Sequence, residues 1–169
     1  MRSASETAAT PGPAGIAPTE ADQHWMAAAL RQAARAAERG EVPVGAVVVR
    51  DGRSLARAGN ASIATHDPAG HAEVRALRAA GRRAGNYRLP GAVLYVTVEP
   101  CAMCMGAALQ ARIARLVYGC ADPKAGAAGS LFDLANDSRL NHRMVVTSGV
   151  GANQARGLLQ RFFQARRAS

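Results

Sequence analysis

Between Ala92 and Tyr118 the sequence alternates a short β-branched apolar run, Ala92 to Val98, a helical stretch with Met105, Ala108 and Leu109 on one side, and a second apolar run, Ile113 to Tyr118. Strands joined through a helix pair in parallel, and a parallel sheet needs both faces covered. This one stretch therefore excludes an all-helical bundle and an open antiparallel meander. The flanking sequence supplies the missing pieces. VGAVVV, from Val44 to Val49, runs into Asp51 and Gly52 and then a weaker extended segment ending near Asn60, which reads as a hairpin. MVVT, starting at Met144, makes a fifth strand. Thr19 with Asp22 three residues later has the form of a capping box, and Trp25, Met26, Ala29, Leu30 and Ala33 follow at helical spacing until Gly40. A last helix is expected from about Ala152 to Arg167, with Leu158, Leu159, Phe162 and Phe163 as one apolar stripe. The predicted architecture is α/β, with helices on both faces of a mixed sheet of about five strands.

A chain of 169 residues suits one domain with one sizeable core. Residues 1–18 show no apolar periodicity and carry Pro11, Pro13 and Pro18, so a disordered N-terminal tail is expected, followed by a single domain over 19–169. The tail has no apolar block of an export signal, and no apolar run approaches the ~20 residues of a membrane span. With only three cysteines, a reducing cytoplasm is the expected compartment and a disulfide scaffold is not. Arg and Lys number 21 against 12 Asp and Glu, giving a formal charge of +9 and pointing to an anionic partner. Lys124 is the sole lysine, however, and a bias in overall composition would produce the same totals.

PCAMC, residues 100–104, places two thiols at a strand-to-helix junction. That spacing alone fits a redox couple, half of a structural zinc site or part of a catalytic metal centre. HAE, His71 to Glu73, changes the balance. It opens another helical pattern after DPAG, and first-turn side chains tilt toward the helix N-terminus, where they can reach an ion off its end. Cys101 and Cys104 start their own helix in the same way, and two positive helix ends favour thiolates. One imidazole and two thiolates make three ligands; zinc prefers four, and a fourth position left to water marks a catalytic site. Glu73, beside the ion and not bound to it, can then hold and deliver a proton. A lone first-turn glutamate would otherwise be read as a solvated acid at a helix dipole.

HAE followed by PCxxC is the signature of the zinc nucleobase deaminases, and the chain from residue 25 onward resembles the bacterial tRNA-specific adenosine deaminases within the cytidine deaminase-like superfamily. The matching stretches are EVPVGAVV, HDPAGHAE, NYRL, LYVTVEPCAMC, GAAGSLFDL, LNHR and the terminal FFQARR. The resemblance implies a three-layer α/β/α cytidine deaminase-like fold, one Zn2+ per subunit held by His71, Cys101 and Cys104, and a homodimer. It implies hydrolytic deamination of adenosine to inosine at the wobble position of a tRNA anticodon, by zinc-activated water with Glu73 as the proton shuttle. It further implies contacts to the target nucleoside from the Asn60 side chain and the Ala72 backbone. An anticodon stem-loop would be held by Asp122 and Lys124 in the GAAGSLFDL segment, and by Arg161, Phe162, Phe163, Arg166 and Arg167 in the last helix. Basic and aromatic side chains together suit a splayed single-stranded loop.

The metal motif itself specifies chemistry and leaves the base open, so a small-molecule nucleobase deaminase acting on guanine or cytosine is the rival, and a zinc-stabilised RNA-binding module without catalysis a third reading. Cys120 replaces the small apolar residue common in the related enzymes. It is expected to act as a small hydrophobe, the sharper alternative being a fourth zinc ligand and a closed site. Ala121 stands where a basic residue is common, which removes one expected RNA contact. His66 and His142 are expected to order loops.

Overall fold

A computed structural model describes residues 15–169. Five helices and five strands follow in the order α1 (Glu20–Glu38), β1 (Gly45–Arg50), β2 (Arg53–Gly59), α2 (Ser62–Thr65), α3 (Ala72–Ala84), β3 (Val93–Val98), α4 (Ala102–Gln110), β4 (Arg115–Cys120), β5 (Val145–Thr147) and α5 (Ala152–Arg167). The strands form one sheet in the order β2-β1-β3-β4-β5. β1 runs antiparallel to both β2 and β3, while β3, β4 and β5 are mutually parallel, so the sheet is mixed as expected. The hairpin turns on Asp51 and Gly52, both at positive φ (53° and 70°), which matches the twist of the flanking strands.

Strand side chains alternate between two apolar layers, which is why these strands read as continuous apolar runs. Val48, Leu94, Val96 and Leu116 point toward Ala72, Ala76, Met105 and Ala108 of α3 and α4. Val47, Val49, Tyr95 and Val117 point the other way, onto Met26 and Ala29 of α1. α5 lies on the α1 side, where Ala155 packs on Val98 and Cys120. The result is a three-layer α/β/α arrangement. α1 approaches β1 so closely that a Cβ on Gly45 would stand 1.9 Å from the Ala29 carbonyl oxygen, so only glycine fits there.

The capping box at Thr19 and Asp22 forms as the spacing predicts. Asp22 does more than cap. Its carboxylate also receives both terminal nitrogens of Arg115 at 2.8 Å and the Tyr95 hydroxyl at 2.9 Å, tying the start of α1 to β3 and β4. Burial would push this carboxyl up, but Arg115, the Thr19 amide and Tyr95 together bring it down to about 2.

Most of the tail expected over residues 1–18 lies outside the described residues; from Gly15 to Pro18 the chain has neither helix nor strand, and the Ile16 carbonyl accepts a 2.7 Å bond from the Thr147 hydroxyl. The last helix is less buried than its apolar stripe suggests. Its bounds are as expected, but the stripe Leu158, Leu159, Phe162 and Phe163 is only partly covered: Ala155 is the one buried residue of α5, and Phe163 is 43% exposed. α5 packs on β3, β4 and α1, and its C-terminal turns carry the two rings beyond that cover. No helix among the described residues is long and apolar enough to cross a membrane.

Candidate metal centre and active site

Two helices begin at the C-terminal end of β3 and its surroundings. His71 is the N-cap residue of α3 and Cys101 that of α4, both with extended backbone and neither making a side-chain cap bond. Their side chains are therefore left free to face outward from the helix ends. The His71 Nδ1 atom stands 3.7 Å from Cys101 Sγ and 3.4 Å from Cys104 Sγ, and the three ligand atoms lie within 4.8 Å of one another. In a tetrahedral zinc site with ordinary bond lengths, a nitrogen and a sulfur are separated by about 3.6 Å, so the observed spacings fit such an ion. Mixed imidazole and thiolate donors select zinc by their chemistry as well. Contact with Cys104 and His71 lowers the Cys101 thiol to about 3, whereas contact with Cys101, joined by burial, raises Cys104. His71 is raised, chiefly by its hydrogen bond to Cys101.

Glu73 sits in the first turn of α3 and is only 4% exposed. Its Oε2 has no hydrogen-bond partner, an uncommon state for a buried carboxylate. Burial pushes its pKa up to about 6, although the charge of neighbouring His71 opposes the rise. A carboxyl that is buried, has one oxygen free of hydrogen bonds and is poised near neutrality is suited to take a proton and return it. Cys120 takes no part here. It is buried against Val98 and Ala155, and the metal-ligating group among the described residues consists of His71, Cys101 and Cys104 alone.

Residues 19–120 match the family model described as the cytidine and deoxycytidylate deaminase zinc-binding region. The chain belongs to this deaminase family. It is 49% identical over 150 residues to the tRNA-specific adenosine deaminase of Haemophilus influenzae, covering 88% of this chain and 87% of that protein. To the Bacillus subtilis protein of the same description it is 42% identical over 143 residues, covering 85% and 89%. A solved structure from work on A-to-I editing by tRNA:A34 deaminases at the wobble position of transfer RNA superposes with a TM-score of 0.78 at 46% identity, over 80% of this chain and 99% of that one. The guanine deaminase of Nitrosomonas europaea shares the fold, with a TM-score of 0.71 at 22% identity over 89% of this chain and 87% of its own.

The deaminase brings other expected residues to the same place. Asn60, just after β2, accepts the Ala72 amide on its Oδ1 at 2.8 Å. That bond fixes the side-chain orientation and leaves the Asn60 Nδ2 donor to face elsewhere, while the Ala72 N–H is used within the protein. Asp122 orders its own loop, its Oδ1 accepting from the Lys124 and Ala125 amides at 3.0 and 3.2 Å. This loop abuts the ligand turn, since Gly126 forms a bridge with Cys101. The α5 residues lie apart: their helix packs on the α1 side of the sheet, opposite α3 and α4. Among them Arg166 is engaged by the fold, donating to the Gly40 carbonyl at 2.6 Å and stacking 4.6 Å over the Phe162 ring, whereas Arg161, Phe163 and Arg167 are exposed. His142 approaches the Ile113 carbonyl at 2.7 Å and so holds the loop before β5; His66 is exposed, in left-handed conformation after α2.

Two buried acids escaped the sequence reading. Glu41 caps α2, its carboxylate accepting from the amides of Ile63 and Ala64. Glu99 sits between β3 and Pro100 and gathers the loop from Asp122 to Ser130. A glutamate at the end of an apolar strand, directly before Pro-Cys, was the one signal available for it. A cavity of about 790 Å³ runs along α3 and α4 beside Val74, Leu77, Tyr87 and Gln110, and includes none of the metal-site residues.

Proposed function

We propose that this protein converts adenosine to inosine by hydrolytic deamination at the wobble position of a tRNA anticodon, with His71, Cys101 and Cys104 as zinc ligands and Glu73 as the catalytic acid and base. The observation that carries the chemistry is the buried, unpartnered Oε2 of Glu73 beside a three-ligand metal group. A zinc ion held by those ligands would supply a water of lowered pKa as the nucleophile. Glu73 takes the proton of that water, passes it to N1 of the adenine ring, and afterwards protonates the departing amine. Carbon 6 gains the oxygen and loses ammonia, leaving inosine. Asn60, with its Oδ1 occupied by Ala72, presents an N–H donor, the partner that a ring nitrogen of a flipped-out purine requires. The choice of RNA over a free base is supported by the 42–49% identity to proteins described as tRNA-specific adenosine deaminases across most of this chain.

On the same reading, residues 19–169 form one deaminase domain, the active unit is a homodimer, and the protein works in the cytoplasm on a tRNA anticodon stem-loop. Asp122, Lys124, Arg161, Phe162, Phe163 and Arg167 contribute the RNA contacts, with Arg166 ordering Phe162 from behind. Zinc-loaded protein incubated with a tRNA pool should yield A-to-G changes confined to the first anticodon position on sequencing. Absence of such changes, with ammonia released from a free base instead, would replace this reading by small-molecule deamination.

A further inference from the structure

We propose that Glu99 is a positioning residue that sets the RNA-facing loop of Asp122–Phe132 against the metal-ligand turn, so that substrate affinity through this loop depends on one buried carboxylate. The inference rests on the reading of that loop as an RNA contact and extends it to a residue that touches neither metal nor RNA.

Glu99 follows β3 directly and is 3% exposed. Its own amide is tied to the Cys120 carbonyl at 2.9 Å, which fixes its backbone to the end of β4. Oε1 accepts from the amides of Ala128 at 3.1 Å and Ser130 at 2.9 Å. Oε2 accepts from the Asp122 amide at 3.0 Å and from the Ser130 hydroxyl. All four partners donate, so an acceptor-only group is required, and an ionised carboxylate meets that requirement with both oxygens. The loop is wrapped around this group at contact distance: a Cβ on Gly126 would come within 2.3 Å of the Glu99 Cδ. The same stretch reaches the ligand turn directly, through the Ala127 amide on the Pro100 carbonyl at 2.8 Å and the bridge between Gly126 and Cys101.

One side of the loop is thereby fastened beside the metal ligands. The other is turned to solvent, with Lys124 exposed and Leu131 and Phe132 each 53% exposed. Two large apolar side chains exposed on an anchored loop that also carries a cation offer a surface on which an unstacked base can lie. Without the anchor the loop's amides would have no common acceptor, and the ordering of that surface would fall to the RNA, which weakens binding.

Glu99→Gln tests this in the zinc-loaded full-length protein. Either orientation of the glutamine amide sets an NH2 against at least one backbone N–H. Hydrogen exchange at Asp122, Ala128 and Ser130 should accelerate about tenfold or more, while amides within β3 and β4 keep their protection. KM for an anticodon stem-loop should rise by about tenfold with kcat within about threefold, the pattern of lost binding rather than lost chemistry. Unchanged loop exchange, a general loss of protection across the sheet, or a fall in kcat at constant KM each overturns the proposal. Ser130→Ala, which removes only the hydroxyl contact, should move exchange and KM the same way by a smaller factor, and no change in either also overturns it should the glutamine variant fail to fold. The exchange result stands whether or not tRNA is the substrate; failure of the wild-type protein to edit tRNA would instead strike the functional reading.

Discussion

Glu73→Gln removes a charge from a buried site while keeping the side-chain volume, and it should make the protein more stable as it makes it inactive. In the folded protein burial raises the Glu73 carboxyl from its ordinary 4.5 to about 6. At 1.36 kcal/mol per pH unit, this corresponds to a destabilisation of about 2 kcal/mol. Because the folded value is the higher one, the penalty is absent below pH 4.5, grows between 4.5 and 6, and is complete at pH 7. The glutamine variant escapes it. In metal-free protein at pH 7 its unfolding free energy should exceed that of the wild type by about 2 kcal/mol, a rise of about 4–8 °C in Tm for a domain of this size. The difference should fade toward pH 4.5, and zinc should shrink it, since a cation beside the carboxylate offsets the same cost. Turnover should fall by at least about a hundredfold, with zinc stoichiometry unchanged because Glu73 is not a ligand. Urea titrations at pH 7 and pH 4.5, paired with an ammonia assay and metal analysis, measure all of this. A variant less stable than wild type at pH 7, or one that retains turnover, would refute the assignment of Glu73 as a buried acid with a catalytic task.

Asp22→Asn should act in the opposite sense: the carboxyl falls from 3.8 to about 2 on folding, so about 2 kcal/mol of stability present above pH 3.8 and lost as pH falls through 2 should be missing from the variant, read as a lower urea midpoint at pH 7. Cys120→Ser should keep one zinc per chain and full activity, since Cys120 packs in an apolar cluster away from the ligands; loss of the metal would return it to the coordination sphere. Affinity for an anticodon stem-loop should drop steeply between 50 and 200 mM salt, on the order of a hundredfold if about four phosphates are neutralised, whereas a flat response would point to a free base as substrate.

The features legible in the sequence are those whose cause is local. Thr19 and Asp22 cap a helix because they lie three residues apart, and Asp51-Gly52 closes a hairpin because both positions tolerate positive φ. His71, Glu73, Cys101 and Cys104 were readable as a group because each pair begins a helix, so the unknown was only whether two helix starts meet. What was not legible depends on partners distant in the chain. Nothing around Arg115 indicates that it will close on Asp22, 93 positions away. Glu99 looks like any polar residue ending a strand until a loop that begins at Asp122 folds onto it. The burial of the α5 stripe was not legible for a related reason: its spacing shows that the side chains share a face, but how far that face is covered depends on what packs against it.

Neither apolar layer of the sheet includes His71, Cys101 or Cys104. Stripping the ion with a chelator should therefore leave the sheet and both of its helical layers folded, read as an unchanged far-UV spectrum, and adding zinc back should return activity. Activity in a zinc-starved cell would then track supply of the ion without any new synthesis of the chain.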